Sequence, residues 1–181
     1  GKTLISIQTL YRLFKKGEID KIKIVRLVAN TFGEKLGDVP GDRKEKLWDF
    51  AGPILDNLSE VIPEGELVEL FNKYKIEVIP VSRMRGRSFS NTGVIVEESQ
   101  NLDEEMMITC LTRIGKNSKF IINGDPYQID FKDRRNGLEY AIRVCEDIEG
   151  IGVIRFDDNK IERHPLIRPI LENAKKIEEE K

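Results

Sequence analysis

Short apolar runs alternate with segments of helical periodicity along most of this chain of 181 residues. The runs are Ile76–Val81, Val94–Val96 and Phe120–Ile122, with a charged–apolar alternation over Lys21–Val28 before them and Ile151–Phe156 after them. Short continuous apolar runs are typical of strands buried on both faces of a parallel sheet. Strands that alternate with helices form such sheets, and the helices cover both faces. The pattern therefore predicts one α/β domain with a mostly parallel sheet.

The stretches between these runs are expected to form helices. Apolar residues at helical spacing continue from the first residues to Phe14. Further helices are predicted over Leu47–Leu58, Glu66–Lys75, Glu104–Ile114, Gly137–Ile148 and Pro165–Lys181. Asp103 is a candidate N-cap for the helix that begins at Glu104. Ala29–Lys46 is rich in Gly, Asp and Lys and is expected to form a loop, and Trp48 is expected in the core together with Phe50.

Composition excludes several classes of protein. The chain is 39% hydrophobic and 34% charged, which is enough apolar material for a core and excludes a disordered protein. A net charge of −2 excludes a strongly basic protein, but it leaves room for a local basic patch. One His and two Cys are too few for a zinc site or a disulfide scaffold. No apolar run approaches the roughly 20 residues that cross a bilayer. The length of 181 residues and the presence of only two Cys lead us to expect a single cytoplasmic domain over residues 1–181.

The chain opens on Gly1-Lys2-Thr3, directly before a predicted helix. This is the second half of the phosphate-binding pattern G-x-x-x-x-G-K-[ST]. In that pattern the backbone cradles phosphates, the Lys reaches the β- and γ-phosphate oxygens and the hydroxyl binds Mg²⁺. A tripeptide is a weak signal, and the alternative interpretation is an ordinary exposed N-terminus without a binding role.

A carboxylate pair, Glu97-Glu98, follows the apolar run Val94–Val96. An apolar strand that ends in two acids matches the Walker B arrangement, in which the first acid holds Mg²⁺ and the second polarises the attacking water. Adjacent buried carboxylates are costly unless a cation lies near them. The alternative is a solvated strand end. The two signals together favour a nucleotide site.

Gln128 closes the segment Gly124–Gln128 after the next apolar run. An amide both donates and accepts hydrogen bonds, so a Gln at a strand end can sense a γ-phosphate or orient water, although an Asp-Pro turn is the simpler interpretation. Because ligands bind at the carboxyl ends of parallel strands, this segment, the acid pair and the arginine-rich loop after Ile76–Val81 are expected to converge.

Several arginines are candidates for contacts with phosphates. Arg83, Arg85 and Arg87 alternate within one loop and could bind a nucleic-acid backbone. Arg134, Arg135 and Arg163 are candidates for neutralising transition-state charge. Each of them is also compatible with an ordinary surface position. His164 has no evident Ser or Cys partner, so a hydrolytic triad is not favoured.

Seven short blocks of the sequence occur in the order found in PhoH-like proteins, predicted P-loop ATPases related to superfamily-one RNA and DNA helicases. The blocks are Gly33–Gly37, Pro40–Asp42, Arg85–Arg87, Glu98–Asn101, Leu111–Gly115, Gly124–Asp130 and Arg163–Leu166. The chain resembles this family from Gly1 to about residue 172. The resemblance implies a three-layer RecA-like P-loop NTPase domain that uses ATP and Mg²⁺, acts on RNA or single-stranded nucleic acid, and forms a homo-oligomer such as a hexameric ring.

The resemblance also assigns roles by position. Gly1, Lys2 and Thr3 would contact the nucleotide, and Thr3 would also contact Mg²⁺. Glu97 and Glu98 would be the Walker B pair, with Glu97 as the metal ligand and Glu98 as the catalytic carboxylate that polarises the attacking water. Gln128 would sense the γ-phosphate.

The chain departs from the family pattern at four places. The glycine-containing first half of the loop and the strand before it are absent, which leads us to expect an N-terminal continuation in the natural protein and poor nucleotide affinity for this chain as written. Glu97 stands where Asp is usual, which adds a methylene to the metal ligand. Ser99 replaces a usual Ala, and Leu27 replaces a usual Pro after Arg26.

Three functions are compatible with these observations. The first is a Mg²⁺-dependent ATPase that couples hydrolysis to RNA remodelling, with Arg163 or Arg135 supplied by a neighbouring subunit. The second is a nucleotide-regulated RNA-binding or assembly module with little turnover, suggested by Glu97 and the shortened loop. The third is a small-molecule kinase, which the sequence favours least because it has no evident acceptor or lid segment.

Overall fold

In the computed structural model, the residues described are 1–27, 52, 54–126, 128, 136–156 and the single positions 166, 169, 170, 173 and 177. The loop predicted over Ala29–Lys46 and the core residues predicted at Trp48 and Phe50 lie outside them. The chain divides into two compact units, Gly1–Glu149 and Gly150–Lys181. No helix within the described ranges has the length and apolar character needed to span a membrane.

Helices and strands alternate through the first unit, as the sequence predicts. They are, in chain order, α1 (Lys2–Lys15), β1 (Lys21–Arg26), α2 (residues 54–61), α3 (Glu64–Asn72), β2 (Ile76–Pro80), a 3₁₀ turn (Val81–Met84), β3 (Thr92–Val96), a second 3₁₀ turn (Ser99–Asn101), α4 (Glu104–Leu111), β4 (Lys119–Ile122) and α5 (Gly137–Val144). The predicted cap of α4 is confirmed, because the Asp103 side chain accepts a hydrogen bond from the Met106 backbone N–H at 2.7 Å.

The four strands described form one parallel sheet in the order β2-β1-β3-β4. In this register Val25 lies beside Val96, and Val96 lies beside Ile122. The residues that directly follow β3 and β4 therefore leave the sheet at the same edge and at the same level. This edge positions the candidate site.

Alternating side chains of the strands point to opposite faces of the sheet and build two separate apolar clusters. On one face the strands pack against α1, α2 and α3, through Ile22, Ile24, Ile76, Val78 and Ile95 on the strands and Ile7, Leu10, Leu58, Leu67 and Leu70 on the helices. On the other face they pack against α4 and α5, through Val25, Ile79, Val94 and Val96 on the strands and Met107, Cys110 and Ala141 on the helices. The first unit is thus a three-layer α/β structure, and the predicted fold class is confirmed.

Lys23 is a charged residue in the middle of this sheet and explains the charged–apolar alternation of β1. Its side chain is buried and forms an ion pair with Glu77, its register partner on β2. Its ammonium also lies 5.9 Å from the centre of the Phe89 ring. A buried ammonium needs a partner of this kind because its desolvation is costly.

Several predicted helix ends were wrong by a few residues. The helix α2 continues to residue 61 rather than Leu58, and α3 spans Glu64–Asn72 rather than Glu66–Lys75. Tyr74 adopts a left-handed backbone with φ of 54°, which cannot continue a helix. The helix α4 ends at Leu111, because Ile114 already pairs with Phe89 in an isolated parallel bridge.

Two strand predictions also need correction. Phe120–Ile122 is expected from the sequence to be buried on both faces, but β4 is the last strand of the described sheet and these three residues are half-buried. In the second unit, residues 151–156 form no strand, and the side chains of Ile151, Val153, Ile154 and Phe156 are exposed. A strand requires a neighbouring backbone to pair with, and none of the described residues provides one.

Candidate functional site

Two adjacent cavities lie where the start of α1 meets the carboxyl ends of the strands. The smaller, of about 40 Å³, is lined by Lys2, Thr3, Glu97, Glu98, Asn123, Gly124, Asp125 and Gln128. The larger, of about 170 Å³, is lined by Thr3, Arg26, Ile54, Asn57, Glu97 and Glu98. Because Thr3, Glu97 and Glu98 line both cavities, we treat the two as compartments of one site.

Thr3 connects the first turn of α1 to the end of β3. Its hydroxyl donates a hydrogen bond of 2.8 Å to Glu97 Oε2. The helix begins at Lys2, so its N-terminal turn faces the carboxylate. The first N–H groups of a helix have no acceptor within it and carry partial positive charge, which makes such a turn favourable for anions.

Glu97 is buried and held from two sides. The residue is 5% exposed, and Asn123 Nδ2 donates to its Oε1 at 2.8 Å. Burial raises the pKa of the Glu97 carboxyl, and the charge of Glu98 raises it further. The hydrogen bonds from Asn123 and Thr3 and the charge of Arg26 oppose this rise in pKa, because they favour the ionised form.

Glu98 differs from Glu97 in exposure and in backbone conformation. Its side chain is exposed, and its φ of 50° and ψ of 42° lie in the left-handed region. Gln100 Nε2 donates to Glu98 Oε2 at 2.7 Å and to the backbone oxygen of Gln128 at 2.9 Å, and its Oε1 accepts from the Asp125 N–H at 3.1 Å. The buried amide of Gln100 therefore connects the second acid to the segment that follows β4.

The close packing of this segment requires glycine at position 124. A Cβ there would lie 2.7 Å from Gln100 Oε1 and 2.7 Å from Ser99 Oγ. Both distances are far below van der Waals contact, so any side chain at Gly124 would displace the Gln100 amide from its position between the two segments.

Lys2 provides the cationic group of the smaller cavity. Its Nζ lies 3.9 Å from Asp125 Oδ2, and both side chains are partly exposed, at 40% and 27%. Coulomb attraction in such a setting is screened by water and is weak. A phosphate group would compete with Asp125 for this ammonium.

The residues around Thr3 and Glu97 fit a magnesium site. Mg²⁺ takes hard oxygen ligands, typically one or two carboxylates, substrate phosphates and several waters. The hydroxyl of Thr3 uses its proton on Glu97 and keeps lone pairs for a metal ion. The Thr3 hydroxyl and the Glu97 carboxylate are thus compatible with a cation bound between a phosphate and the end of β3.

The predicted arginines fall into two groups. Arg83, Arg85 and Arg87 are exposed in the loop after β2, and Arg85 forms an ion pair with Glu105 on α4. Arg134, Arg135, Arg163 and His164 lie outside the described residues.

Comparison with known proteins identifies the family. The family model described as PhoH-like protein matches residues 1–175. The chain belongs to the PhoH-like family. Among curated relatives, the PhoH-like protein of Bacillus subtilis (strain 168) is 38% identical over 173 residues, which cover 95% of this chain and 54% of the relative.

Two further curated relatives match the chain with similar identity and coverage. The PhoH-like protein of Synechocystis sp. is 35% identical over 98% of this chain and 54% of its own length. Protein PhoH of Escherichia coli (strain K12) is 34% identical over 94% of this chain and 49% of its own length. The chain therefore spans about half the length of the PhoH-like relatives it matches.

Sequence reasoning missed several polar residues that the structure places in or beside the site, among them Ser6, Arg26, Asn57, Gln100 and Asn123. Ser6 follows Lys2 by four residues and therefore shares its helical face, so helical periodicity could have identified it. Asn123 directly follows β4 as Glu97 directly follows β3, so the alignment of parallel strand ends could have identified it. The contacts of Gln100 depend on the tertiary structure and have no local signal.

Proposed function

We propose that this domain binds Mg-ATP and hydrolyses it at the site between α1 and the ends of β3 and β4. The observation that carries the proposal is that Lys2, Thr3, Glu97, Glu98 and Gln128 line one cavity, although they come from three distant parts of the chain. An ammonium, a helix N-terminus, a hydroxyl and two carboxylates are the groups that phosphoryl transfer to water requires.

Lys2 and the first turn of α1 would hold the phosphates. The ammonium of Lys2 would exchange its contact with Asp125 for the β- and γ-phosphate oxygens, which carry more charge. The N–H groups at the start of α1 would donate to the same oxygens.

Thr3 and Glu97 would hold Mg²⁺. When bound, the ion neutralises charge that develops on the phosphate oxygens. Thr3 can contribute a lone pair while its proton remains on Glu97 Oε2. The extra methylene of Glu97 is accommodated because its carboxylate is already held at both oxygens.

Glu98 and Gln128 would act on the attacking water. Glu98 is exposed at the cavity and would accept the water proton. The new bond to the γ-phosphorus would form as the bond from that phosphorus to the bridging β-phosphate oxygen breaks, with ADP as the leaving group. The Gln128 side chain would orient the same water or a γ-phosphate oxygen. Because Gln100 holds both the Glu98 carboxylate and the Gln128 backbone, these two groups would move together.

Phosphate release with Mg-ATP tests the proposal in the natural protein. Glu98→Gln should lower turnover by about a hundredfold or more while nucleotide binding persists, and Lys2→Met should weaken binding. Matched controls are Glu105→Gln, which removes an exposed paired acid, and Lys15→Met, which removes a paired lysine of the same helix. Absence of Mg²⁺-dependent nucleotide binding, or equal effects of site and control variants, would refute the proposal.

RNA is the proposed partner, and the exposed Arg83 and Arg87 would contact its phosphates. Replacing either arginine by Ala should weaken RNA binding. It should also reduce the slope of log binding constant against log salt concentration by about one. Arg12→Ala, an exposed arginine on α1, is the control. RNA binding without ATP turnover would favour the alternative of a nucleotide-regulated binding module.

A homo-oligomer is part of the proposal, since an arginine from a neighbouring subunit would complete the charge neutralisation. Arg135 and Arg163 are the candidates. Mixing Arg→Ala subunits with Glu98→Gln subunits should restore activity if the site is shared between subunits, whereas strictly additive activity would contradict sharing.

A further inference from the structure

A chain of hydrogen-bonded side chains runs from α1 through the end of β4 to the end of β3. Asn123 Nδ2 lies 2.8 Å from Glu97 Oε1 and 2.9 Å from Ser6 Oγ. The chain continues from Glu97 Oε2 to the Thr3 hydroxyl. Ser6, Asn123 and Glu97 are only 5%, 8% and 5% exposed, so these contacts are largely shielded from bulk solvent.

The orientation of the Asn123 amide follows from its partners. An ionised carboxylate only accepts hydrogen bonds, so the amide atom that faces Glu97 must be the donor Nδ2. Ser6 Oγ accepts from Nδ2, and its own proton reaches the Lys2 carbonyl oxygen at 2.9 Å or Asn123 Oδ1 at 3.2 Å. Ser6 thereby connects the amide to the backbone of Lys2.

These contacts restrict a side-chain rotation that is available to a glutamate but not to an aspartate. The longer side chain of Glu97 has one more rotatable bond, and rotation about it would carry Oε2 away from Thr3. With Oε1 bound by Asn123, only one orientation of the carboxylate satisfies both hydrogen bonds.

We propose that Asn123 is a positioning residue, which holds Glu97 Oε1 so that Oε2 stays beside the Thr3 hydroxyl, the pair that would hold Mg²⁺. Ser6 supports it by fixing the amide. This inference rests on the proposed function, and it adds residues from outside the P-loop and Walker B segments to the metal site. Partners that orient metal ligands typically change metal affinity by about 10- to 100-fold.

The test is the affinity for a fluorescent, non-hydrolysable ATP analogue, measured in the natural protein with Mg²⁺ and again with EDTA. Asn123→Leu keeps the branched shape and the number of heavy atoms of the side chain and removes the hydrogen bonds. It should lower the Mg²⁺-dependent gain in affinity by about tenfold and leave the affinity in EDTA unchanged. Ser6→Ala should act in the same direction by a smaller factor, and it serves as the test if Asn123→Leu does not fold.

Thr92→Val is the matched control, because it replaces another buried hydrogen-bonding side chain by an apolar one at the opposite end of β3. It should change neither affinity. In a Glu97→Gln background, Asn123→Leu should add no further loss of the Mg²⁺-dependent gain, since no carboxylate remains to be oriented.

The outcomes separate the two proposals. If the unsubstituted protein gains no affinity from Mg²⁺, the proposed function fails and this inference fails with it. If the gain is present and Asn123→Leu retains it, or loses affinity equally with Mg²⁺ and with EDTA, the inference alone is overturned.

Discussion

The hydroxyl of Thr3 donates a 2.8 Å hydrogen bond to Glu97 Oε2 across 94 residues of sequence. The contact joins the second residue of α1 to the residue that follows β3. Both positions are set by packing, since α1 lies on one face of the sheet and β3 lies between two strands within it. A hydroxyl and a carboxylate that lie far apart in the sequence thereby become neighbours at a helix N-terminus.

Glu97→Gln is expected to stabilise the ligand-free protein near neutral pH by about 1 kcal/mol, the usual scale of a single substitution. Burial raises the pKa of Glu97, so its ionised form is less favourable in the folded state than in the unfolded state. A glutamine retains both hydrogen bonds, because its oxygen can accept from Asn123 and its nitrogen can donate to Thr3. Urea unfolding measures the difference.

The sign of the pH dependence follows from the same shift. A raised folded-state pKa gives a contribution to stability that is complete below the unfolded pKa and is lost as pH rises through the folded pKa. The advantage of Glu97→Gln should therefore shrink toward acid pH. Glu105→Gln, at an exposed position, is the control. A glutamine variant that is less stable than the wild type at neutral pH would contradict this account.

Ser99→Ala should raise the free energy of unfolding by about 1 kcal/mol. Ser99 is fully buried, and its hydroxyl finds no hydrogen-bond partner in the described part of the chain. Ser118→Ala should do the opposite, because its hydroxyl accepts from the Thr92 N–H at 3.1 Å and donates to the Phe89 carbonyl. Chemical denaturation of both variants tests the contrast, and a loss of stability in Ser99→Ala would show that its hydroxyl is satisfied.

At position 98, Asn should give a protein about 1 kcal/mol more stable than Ala. Both substitutions remove the carboxylate, but the left-handed φ of 50° is better tolerated by Asn. At Glu105, within α4, the same pair should rank in the opposite order, because Ala is the better helix former. Thermal or urea unfolding of the four variants measures these differences in stability. If Glu98→Ala were at least as stable as Glu98→Asn, backbone strain at position 98 would be excluded.

Asp125→Asn should tighten binding of an ATP analogue a few fold, equivalent to about 0.5–1 kcal/mol for a partly exposed charge. The change removes the anion that lies 3.9 Å from the Lys2 ammonium and would compete with phosphate. Raising the salt concentration should reduce the difference. Glu66→Gln is the matched control, since Glu66 pairs with Lys15, which lies on α1 as Lys2 does. Weaker binding in Asp125→Asn would mean that this carboxylate supports the site.

Local sequence patterns predicted most elements of the first unit. The runs at Ile76–Val81 and Val94–Val96 became β2 and β3, and Asp103 caps α4 as expected. The helix ends were less predictable, because Tyr74 and Ile114 leave helical conformation for reasons of tertiary pairing or turn geometry. Residues 151–156 show the limit most clearly, since an apolar run becomes a strand only beside a partner.

The amino-acid sequence by itself determined the α/β class, the family and the chemical groups available for a site, because periodicity, apolar runs and short motifs are local properties. Only the tertiary structure decided which groups meet. The parallel register brings Glu97 and Asn123 to the same level, the packing of α1 brings Thr3 and Ser6 to them, and Gln100 joins Glu98 to the segment after β4. These contacts depend on distances between segments far apart in the chain, so local patterns predicted that strand ends would converge but not which atoms would meet.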